Sequence, residues 1–377
     1  MNTSNQYHTP TSGMPLRGLI QDHVVAGVKL TWKNTFLKKA EFMQLVHIAT
    51  SGLEETEIVG YHDNVIIPPP AIRKPVAMWT GKQVITALIS NLIRAPLPPL
   101  NLDGKTRTPV TALGEDSQEH VIIFRDNQLL SGLMDKASIG ATNLGIVHAV
   151  YELYGAEPAG LLLGAFGRLF SYYLQDAGQT CGMEDLVLTT AAEKERSRLM
   201  SRVLADASVG LRAFIDGDAI GEKVEAAQKA ADKTEAKQKK SNKNSPTSGD
   251  DVKKVNKAGK LEQSFYGINP ESIAECESSC AMLASKEPDQ AKIKLDAAMQ
   301  SVINKSASSV IKACTPAGLK SDFQKNNFSV MVLTGAKGSA VNQSSISCML
   351  GQQALEGQRV PLMVSGKSLP SFRPYDA

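Results

Sequence analysis

A lysine flanked by glycines is the clearest candidate in this sequence for contact with a charged ligand. Residues 335 to 339 read Gly-Ala-Lys-Gly-Ser, which places Lys337 between Gly335 and Gly338. Glycine lets the backbone approach a ligand closely, and the lysine side chain can project into the space that the turn faces. An ordinary loop has the same composition, so the spacing alone leaves both interpretations open.

Three other motifs look like ligand sites and fail on spacing. Gly366-Lys367-Ser368 has the end of a P-loop, but Pro361 occupies the position of the first required glycine. Cys276 and Cys280 lie four residues apart, yet no second Cys or His pair completes a zinc site. Residues 214 to 218, Phe-Ile-Asp-Gly-Asp, are interpreted as a polar helix end with a turn. We therefore predict no metal site and no catalytic residue in the chain.

A polar cluster lies near the C-terminal end, in a stretch whose apolar residues recur at helical spacing. This pattern predicts a helix over residues 344 to 358. The polar members are Gln352, Gln353, Glu356 and Arg359. From the residues alone, they form a solvated face.

The elements that would position these residues are mixed in the N-terminal third. Residues 38 to 48 have the apolar spacing of a helix, and Thr80 is a good N-cap for a helix from Gly81 to Ile93. Residues 121–124 and 128–132 predict two strands around a tight Asp126-Asn127 turn.

The middle of the chain is predicted to be helical. Residues 146 to 212 carry aromatic and aliphatic stripes that are typical of a core rather than a cofactor site. Residues 221 to 262 are rich in Lys, Glu, Ala, Asn and Ser and are predicted to be a mobile insertion. Helical spacing returns from residue 295 to residue 311 and ends near Pro316.

Composition sets limits but does not define a chemistry. A formal charge of +3 over 377 residues does not indicate a nucleic-acid binder by field alone. The five cysteines have no regular spacing, which suits a reducing compartment. The longest apolar runs are shorter than a membrane span, so we expect no membrane partner.

Several segments, in family order, resemble the largest subunit of nuclear RNA polymerases. Thr-Gly-Ala-Lys-Gly-Ser from Thr334 and Gly-Gln-Gln-Ala-Leu-Glu-Gly from Gly351 are the most specific. The interior segments are closer to RNA polymerase I than to its relatives, so the chain is identified as a member of that subunit family. The matching segments are residues 10–23, 74–83, 130–136, 145–148, 154–155, 167–170, 180–186 and 334–377.

The resemblance implies a mixed α+β, α-rich fold with three parts. Residues 1–157 would be a pore domain and residues 158–320 a funnel domain that carries the insertion at 221–262. Residues 321–377 would begin the cleft domain.

The resemblance also implies roles for two sets of residues. Those facing the incoming nucleotide in the substrate channel would be Gly335, Lys337, Gly338, Ser339 and Asn342. Those lining the pore would be Arg73, Lys74, Lys82, Gln352, Gln353, Glu356 and Arg359. Gln358 departs from the family, in which a basic residue is usual at this position.

The family's magnesium-binding loop, Asn-Ala-Asp-Phe-Asp-Gly-Asp, does not occur in these 377 residues. Mg²⁺ would therefore be a cofactor of the complete enzyme only, and we expect the isolated chain to be inactive. Expected partners are the second-largest and other polymerase subunits, the DNA template, the RNA transcript, nucleoside triphosphates and a transcript-cleavage subunit or factor. The expected location is the nucleus, at the nucleolus.

Two other classes of function compete with the one that the resemblance implies. One is a helical interaction scaffold that would use the lysine-rich insertion as a binding arm, or else a degenerate polymerase remnant without a catalytic role. A freestanding nucleotide-binding enzyme is disfavoured because no phosphate or metal motif is complete.

Overall fold

The computed structural model describes residues 3–53, 64–114, 117–215 and 288–374. These residues form two compact units, the first from 1–187 with 320–343 and the second from 188–319 with 344–377. The structure is mixed helix and sheet, with far more helix than strand. The predicted mobile insertion at 221–262, Cys276, Cys280 and residues 216–218 lie outside the described residues.

The helices and strands are short at the N-terminal end and longer in the middle of the chain. Within the described residues, the α-helices are α1 Asp22–Thr31, α2 Lys39–Thr50, α3 Gly81–Leu92, α4 Val110–Leu113, α5 Lys136–Ile139, α6 Ile146–Tyr154, α7 Ala156–Ala177, α8 Thr190–Ile215, α9 Pro288–Cys314, α10 Asn327–Leu333 and α11 Ala340–Ser347. The strands are β1 Phe36–Lys38, β2 Met78–Thr80, β3 Leu102–Lys105, β4 Val121–Arg125, β5 Gln128–Ser131, β6 Ala354–Leu355 and β7 Gln358–Arg359. Single turns of 3-10 helix cover Ser4–Gln6, Gln118–His120 and Met183–Leu186.

Helix α3 lies at the centre of the first unit. The Thr80 side chain accepts a hydrogen bond from the Gln83 backbone, and Gln83 returns one to the Thr80 backbone, which confirms the predicted N-cap. A Cβ on Gly81 would lie 1.8 Å from the Leu30 carbonyl oxygen. Only glycine therefore lets α3 begin this close to α1.

A three-stranded antiparallel sheet, in the order β3-β4-β5, packs beside α3. Asp126 and Asn127 both have positive φ, as a two-residue hairpin turn requires, and Arg125 pairs with Gln128. Leu129 donates its backbone N–H to the Thr86 hydroxyl of α3, at 3.1 Å. This bond joins the predicted hairpin to the central helix.

Helices α6 and α7 supply the aromatic part of the same core. Phe166 and Phe170 are fully buried and stack with their ring centroids 5.2 Å apart. The predicted stripes are therefore core, as expected, although the helical region is interrupted at Gly155 and again after Ala177.

The second unit is built on the pairing of α8 with α9. Its small buried cluster contains Val203, Val310, Cys314 and Cys348. Ser306 of α9 donates a hydrogen bond to Asp206 of α8, at 2.8 Å. No described helix combines the length and apolar character that a membrane crossing requires.

The helix predicted over residues 344 to 358 is wrong. Helix α11 ends at Ser347, and residues 354 to 359 form a two-stranded hairpin in which Leu355 pairs with Gln358. Glu356 and Gly357 have positive φ, as in a two-residue turn. The apolar spacing gave a wrong prediction because Leu350 and Leu355 do not face a core. They are 67% and 63% exposed.

Candidate functional site

Four of the five predicted nucleotide-facing residues lie in the turn between α10 and α11, and the fifth, Asn342, lies in the first turn of α11. Lys337 donates its backbone N–H to the Met331 carbonyl at 3.2 Å, which folds the turn back onto α10. Gly335 and Gly338 both have φ of +80°. The Ser339 hydroxyl accepts from the Asn342 backbone at 3.3 Å, which caps the start of α11. The side chain of Lys337 is exposed at the tip of this turn.

Buried polar contacts fix both helices that carry the turn. The Asn326 side chain caps α10 by accepting from Ser329, and it donates to the Asp185 carbonyl at 2.7 Å. Gln343 of α11 donates to the Ser329 hydroxyl of α10, also at 2.7 Å. The turn is therefore closed at its base, while its tip faces solvent.

Asp135, which sequence reasoning missed, anchors the neighbouring loop. Its buried carboxylate accepts backbone N–H bonds from Arg107, Thr108 and Ala137 at 2.6, 3.0 and 2.9 Å, together with the Thr108 hydroxyl at 3.2 Å. The next residue, Lys136, donates its backbone N–H to the Thr334 carbonyl at 3.3 Å, directly before the turn. Burial raises the pKa of Asp135, although these hydrogen bonds oppose the rise.

The predicted pore-lining residues of the first unit have different surroundings. Arg73 and Lys74 are exposed on a loop that is closed by a pair of backbone bonds between Ile72 and Met78. Lys82 is instead largely buried, and its ammonium group lies 2.5 Å from a carboxylate oxygen of Glu119. Its charge is neutralised within the first unit, so Lys82 has a structural partner that the sequence did not indicate.

The remaining predicted residues lie in the second unit, on and before the β6–β7 hairpin. Gln353 and Glu356 are exposed, and Gln352 is partly exposed. Arg359 lies 2.8 Å from a carboxylate oxygen of Asp296 in α9, and these side chains are 17% and 3% exposed. The Arg359 charge is therefore committed to holding the hairpin on α9.

Among the described residues, one group could offer three metal ligands: His8, His148 and Glu152. His8 Nδ1 lies 3.3 Å and His148 Nε2 lies 3.7 Å from the same oxygen of Glu152. His148 Nδ1 accepts from the Leu144 backbone at 2.9 Å, so its neutral ring carries the proton on Nε2 and cannot ligate a metal there. Two imidazoles also do not suit Mg²⁺, which prefers oxygen ligands. We interpret the group as a polar clamp, in which only the 3.3 Å contact between His8 and Glu152 is short enough for a hydrogen bond.

This clamp predicts a pH dependence of stability. Burial lowers the pKa of His8, as does the neighbouring His148, while Glu152 opposes them. A histidine with a lowered folded-state pKa binds its proton more readily when the chain unfolds. Its contribution to stability is therefore complete above the unfolded value of about 6.5 and is lost as the pH falls below it.

We expect the free energy of unfolding to fall less between pH 7.5 and 5.5 in His8→Phe than in the unsubstituted chain. Phenylalanine keeps a ring beside Tyr151, which His8 contacts with centroids 3.8 Å apart. Urea titrations at both pH values measure the difference. His47→Phe, at an exposed histidine of α2, is the control and should keep the original dependence. Equal losses in all three proteins would show that His8 does not titrate as inferred.

A cavity of about 220 Å³ lies between β3, β4 and residues 137–146. Its lining is mostly apolar and includes Ile122, Phe124 and Ile146, but none of the predicted site residues. The cavity is therefore separate from the turn of residues 334–339, which we call the Lys337 turn.

Comparison with known proteins agrees with the sequence resemblance. Residues 6–186 match the family described as RNA polymerase Rpb1, domain 3, and residues 283–377 match RNA polymerase Rpb1, domain 4. The chain belongs to the family of RNA polymerase largest subunits.

The chain has higher sequence identity to polymerase I subunits than to a polymerase III subunit. The whole chain aligns at 40% identity with DNA-directed RNA polymerase I subunit rpa1 of Schizosaccharomyces pombe, and at 36% with subunit RPA190 of Saccharomyces cerevisiae. Identity to the polymerase III subunit RPC1 of Saccharomyces cerevisiae is 26%, over 99% of the chain. These values assign the chain to the polymerase I largest subunits. The chain spans 19% of the length of both polymerase I relatives and 21% of the length of the polymerase III subunit.

Proposed function

We propose that this chain is the part of the RNA polymerase I largest subunit that lines the channel for nucleotide entry during template-directed RNA synthesis. The supporting observation is the exposed Lys337 at the tip of a turn whose base is fixed by buried polar contacts. Because the backbone of the turn is already fixed, only the Lys337 side chain has to be ordered when a triphosphate binds. The family membership favours this function over a helical scaffold.

The domain assignment is part of the same proposal. Residues 1–157 form the pore domain, residues 158–320 the funnel domain and residues 321–377 the start of the cleft domain. The partners are the other polymerase subunits, the DNA template, the transcript, nucleoside triphosphates and a transcript-cleavage subunit or factor acting through the funnel. The complete enzyme works in the nucleus, at the nucleolus.

The residues of this chain bind and guide the nucleotide; they do not carry out the chemical step. Lys337 contacts the triphosphate, while the exposed Arg73 and Lys74 raise the local concentration of polyanions by their field. Mg²⁺ supplies the phosphoryl-transfer chemistry in the complete enzyme. Its carboxylate ligands lie outside this chain, so the isolated chain has no polymerase activity.

Lys337→Ala in the complete polymerase should raise the KM for nucleotides about tenfold, which corresponds to about 1.4 kcal/mol. A hydrogen bond to a charged group contributes on the order of 1.5 to 3 kcal/mol, so this loss is a conservative expectation. Steady-state kinetics with varied nucleotide concentration measure it. Lys337→Arg keeps the charge and should retain most activity.

Lys325→Ala is the matched control, because Lys325 is another exposed lysine in the loop before α10. It should leave the nucleotide KM and kcat unchanged. If Lys337→Ala behaves like Lys325→Ala, the turn is merely structural and the proposed nucleotide contact does not exist.

A further inference from the structure

A second cation, Arg107, lies directly on the glycine turn that carries Lys337. Arg107 belongs to the loop between β3 and α4 and is far from the turn in sequence. A Cβ on Gly335 would lie 2.7, 2.9 and 3.1 Å from Cδ, Nε and Cζ of Arg107. The guanidinium end of the side chain therefore occupies the space that any other residue at position 335 would fill.

Hydrogen bonds at Asp135 and Lys136 fix the backbone of Arg107 relative to the turn. Its N–H donates to Asp135 at 2.6 Å, and the adjacent Lys136 donates to the Thr334 carbonyl at 3.3 Å. The loop of Arg107 and the turn of Gly335 are thus joined to the same pair of residues. Arg107 is consequently positioned relative to the turn by bonds other than those of its own side chain.

The charge of Arg107 is not neutralised within the described part of the first unit. Its side chain is exposed and makes no ion pair there, and the nearby Asp135 carboxylate is fully buried and already accepts four hydrogen bonds. Lys337 follows Gly335 by two residues, so the Cα atoms of Gly335 and Lys337 lie within about 7.6 Å of each other. Two exposed cations therefore lie at one turn, with Arg107 packed over Gly335 and Lys337 two residues further along the chain.

We propose that Arg107 is a second phosphate-binding residue at the Lys337 turn, and that Gly335 is required because it leaves room for the Arg107 side chain. This inference rests on the proposed function of the turn and adds a residue to it. The planar guanidinium can bind two phosphate oxygens at once, while Lys337 supplies a point charge. The ligand is a phosphate group, carried either by a nucleoside triphosphate or by the RNA backbone.

Arg107→Ala in the complete polymerase tests this inference. We expect the KM for nucleotides to rise roughly five- to tenfold if the triphosphate is the ligand. An unchanged KM with weaker binding of a backtracked RNA 3′ segment would assign the RNA backbone instead, and would equally support a phosphate site. Arg107→Lys keeps the charge without the fork and should give an effect between those of the native residue and alanine.

Two further comparisons separate positioning from general damage. Gly335→Ala and Gly338→Ala introduce the same backbone strain, since both glycines have φ of +80°, but a Cβ on Gly338 meets only Val332, at 3.5 Å. Gly335→Ala should therefore raise the KM more than Gly338→Ala, because only it displaces Arg107. Lys105→Ala, at an exposed lysine of β3, should leave the KM unchanged.

The inference is overturned if Arg107→Ala changes neither the nucleotide KM nor RNA binding. In that case a raised KM in Lys337→Ala would still support the proposed function of the turn. If neither Arg107→Ala nor Lys337→Ala changes the nucleotide KM or RNA binding, the proposed function fails together with the inference.

Discussion

Asp135→Ala should destabilise the first unit by on the order of 3 kcal/mol or more. The substitution leaves the buried backbone N–H of Thr108 and the partly buried N–H groups of Arg107 and Ala137 without their acceptor. We do not attribute this destabilisation to the loss of the carboxylate charge. Burial raises the pKa of Asp135 and therefore disfavours its ionised form. Urea unfolding of the purified chain, followed by a probe in the first unit, measures the change.

Asp103→Ala provides a control with the same change of residue in the same unit. Asp103 forms an exposed ion pair with Arg125, and water replaces such a contact readily. We expect little change in the free energy of unfolding. Equal effects of the two substitutions would contradict the view that Asp135 organises the loop beside the Lys337 turn.

Arg359→Ala should destabilise the second unit by about 3 to 5 kcal/mol, the usual cost of leaving one partner of a buried ion pair uncompensated. The remaining Asp296 is buried, and its second oxygen has no hydrogen-bond partner among the described residues. The β6–β7 hairpin should therefore detach from α9. Hydrogen exchange of the hairpin amides, together with urea unfolding, tests both consequences.

The double variant Asp296→Asn with Arg359→Ala separates the charge from the packing. It leaves no buried charge, so it should be more stable than Arg359→Ala alone. Arg198→Ala, which removes a half-exposed pair with Glu195, should change little. If Arg359→Ala is also mild, then Arg359 is free to act elsewhere, as the sequence prediction of a pore-lining role requires.

Features that depend on near neighbours in the chain could be predicted from sequence. Thr80 followed by Gln83 is a capping box, and α3 begins where this pair places it. Asp126-Asn127 between two apolar runs predicts a hairpin, because both residue types tolerate positive φ. The glycine-flanked Lys337 is likewise exposed on a turn, as its local composition suggests.

Features that depend on distant residues were missed, because a single sequence does not show which remote side chains meet. Asp296 and Arg359 are separated by 63 residues, and nothing near Arg359 indicates a buried carboxylate. The same holds for Lys82 with Glu119 and for Arg107 with Gly335. The false helix over 344 to 358 has a related cause: its apolar spacing fits a helix, but Gly351 and Gly357 adopt positive φ and break it.

In the proposed function the Lys337 turn faces the incoming nucleotide, and photo-crosslinking gives a direct test of this claim. A nucleoside triphosphate with an aryl azide on its γ-phosphate would be bound to the complete polymerase, irradiated and mapped by mass spectrometry. We expect label on the peptide that contains Lys337, and competition by unmodified nucleotide should remove this label. Label confined to peptides outside residues 331–343 and the Arg107 loop would contradict the claim.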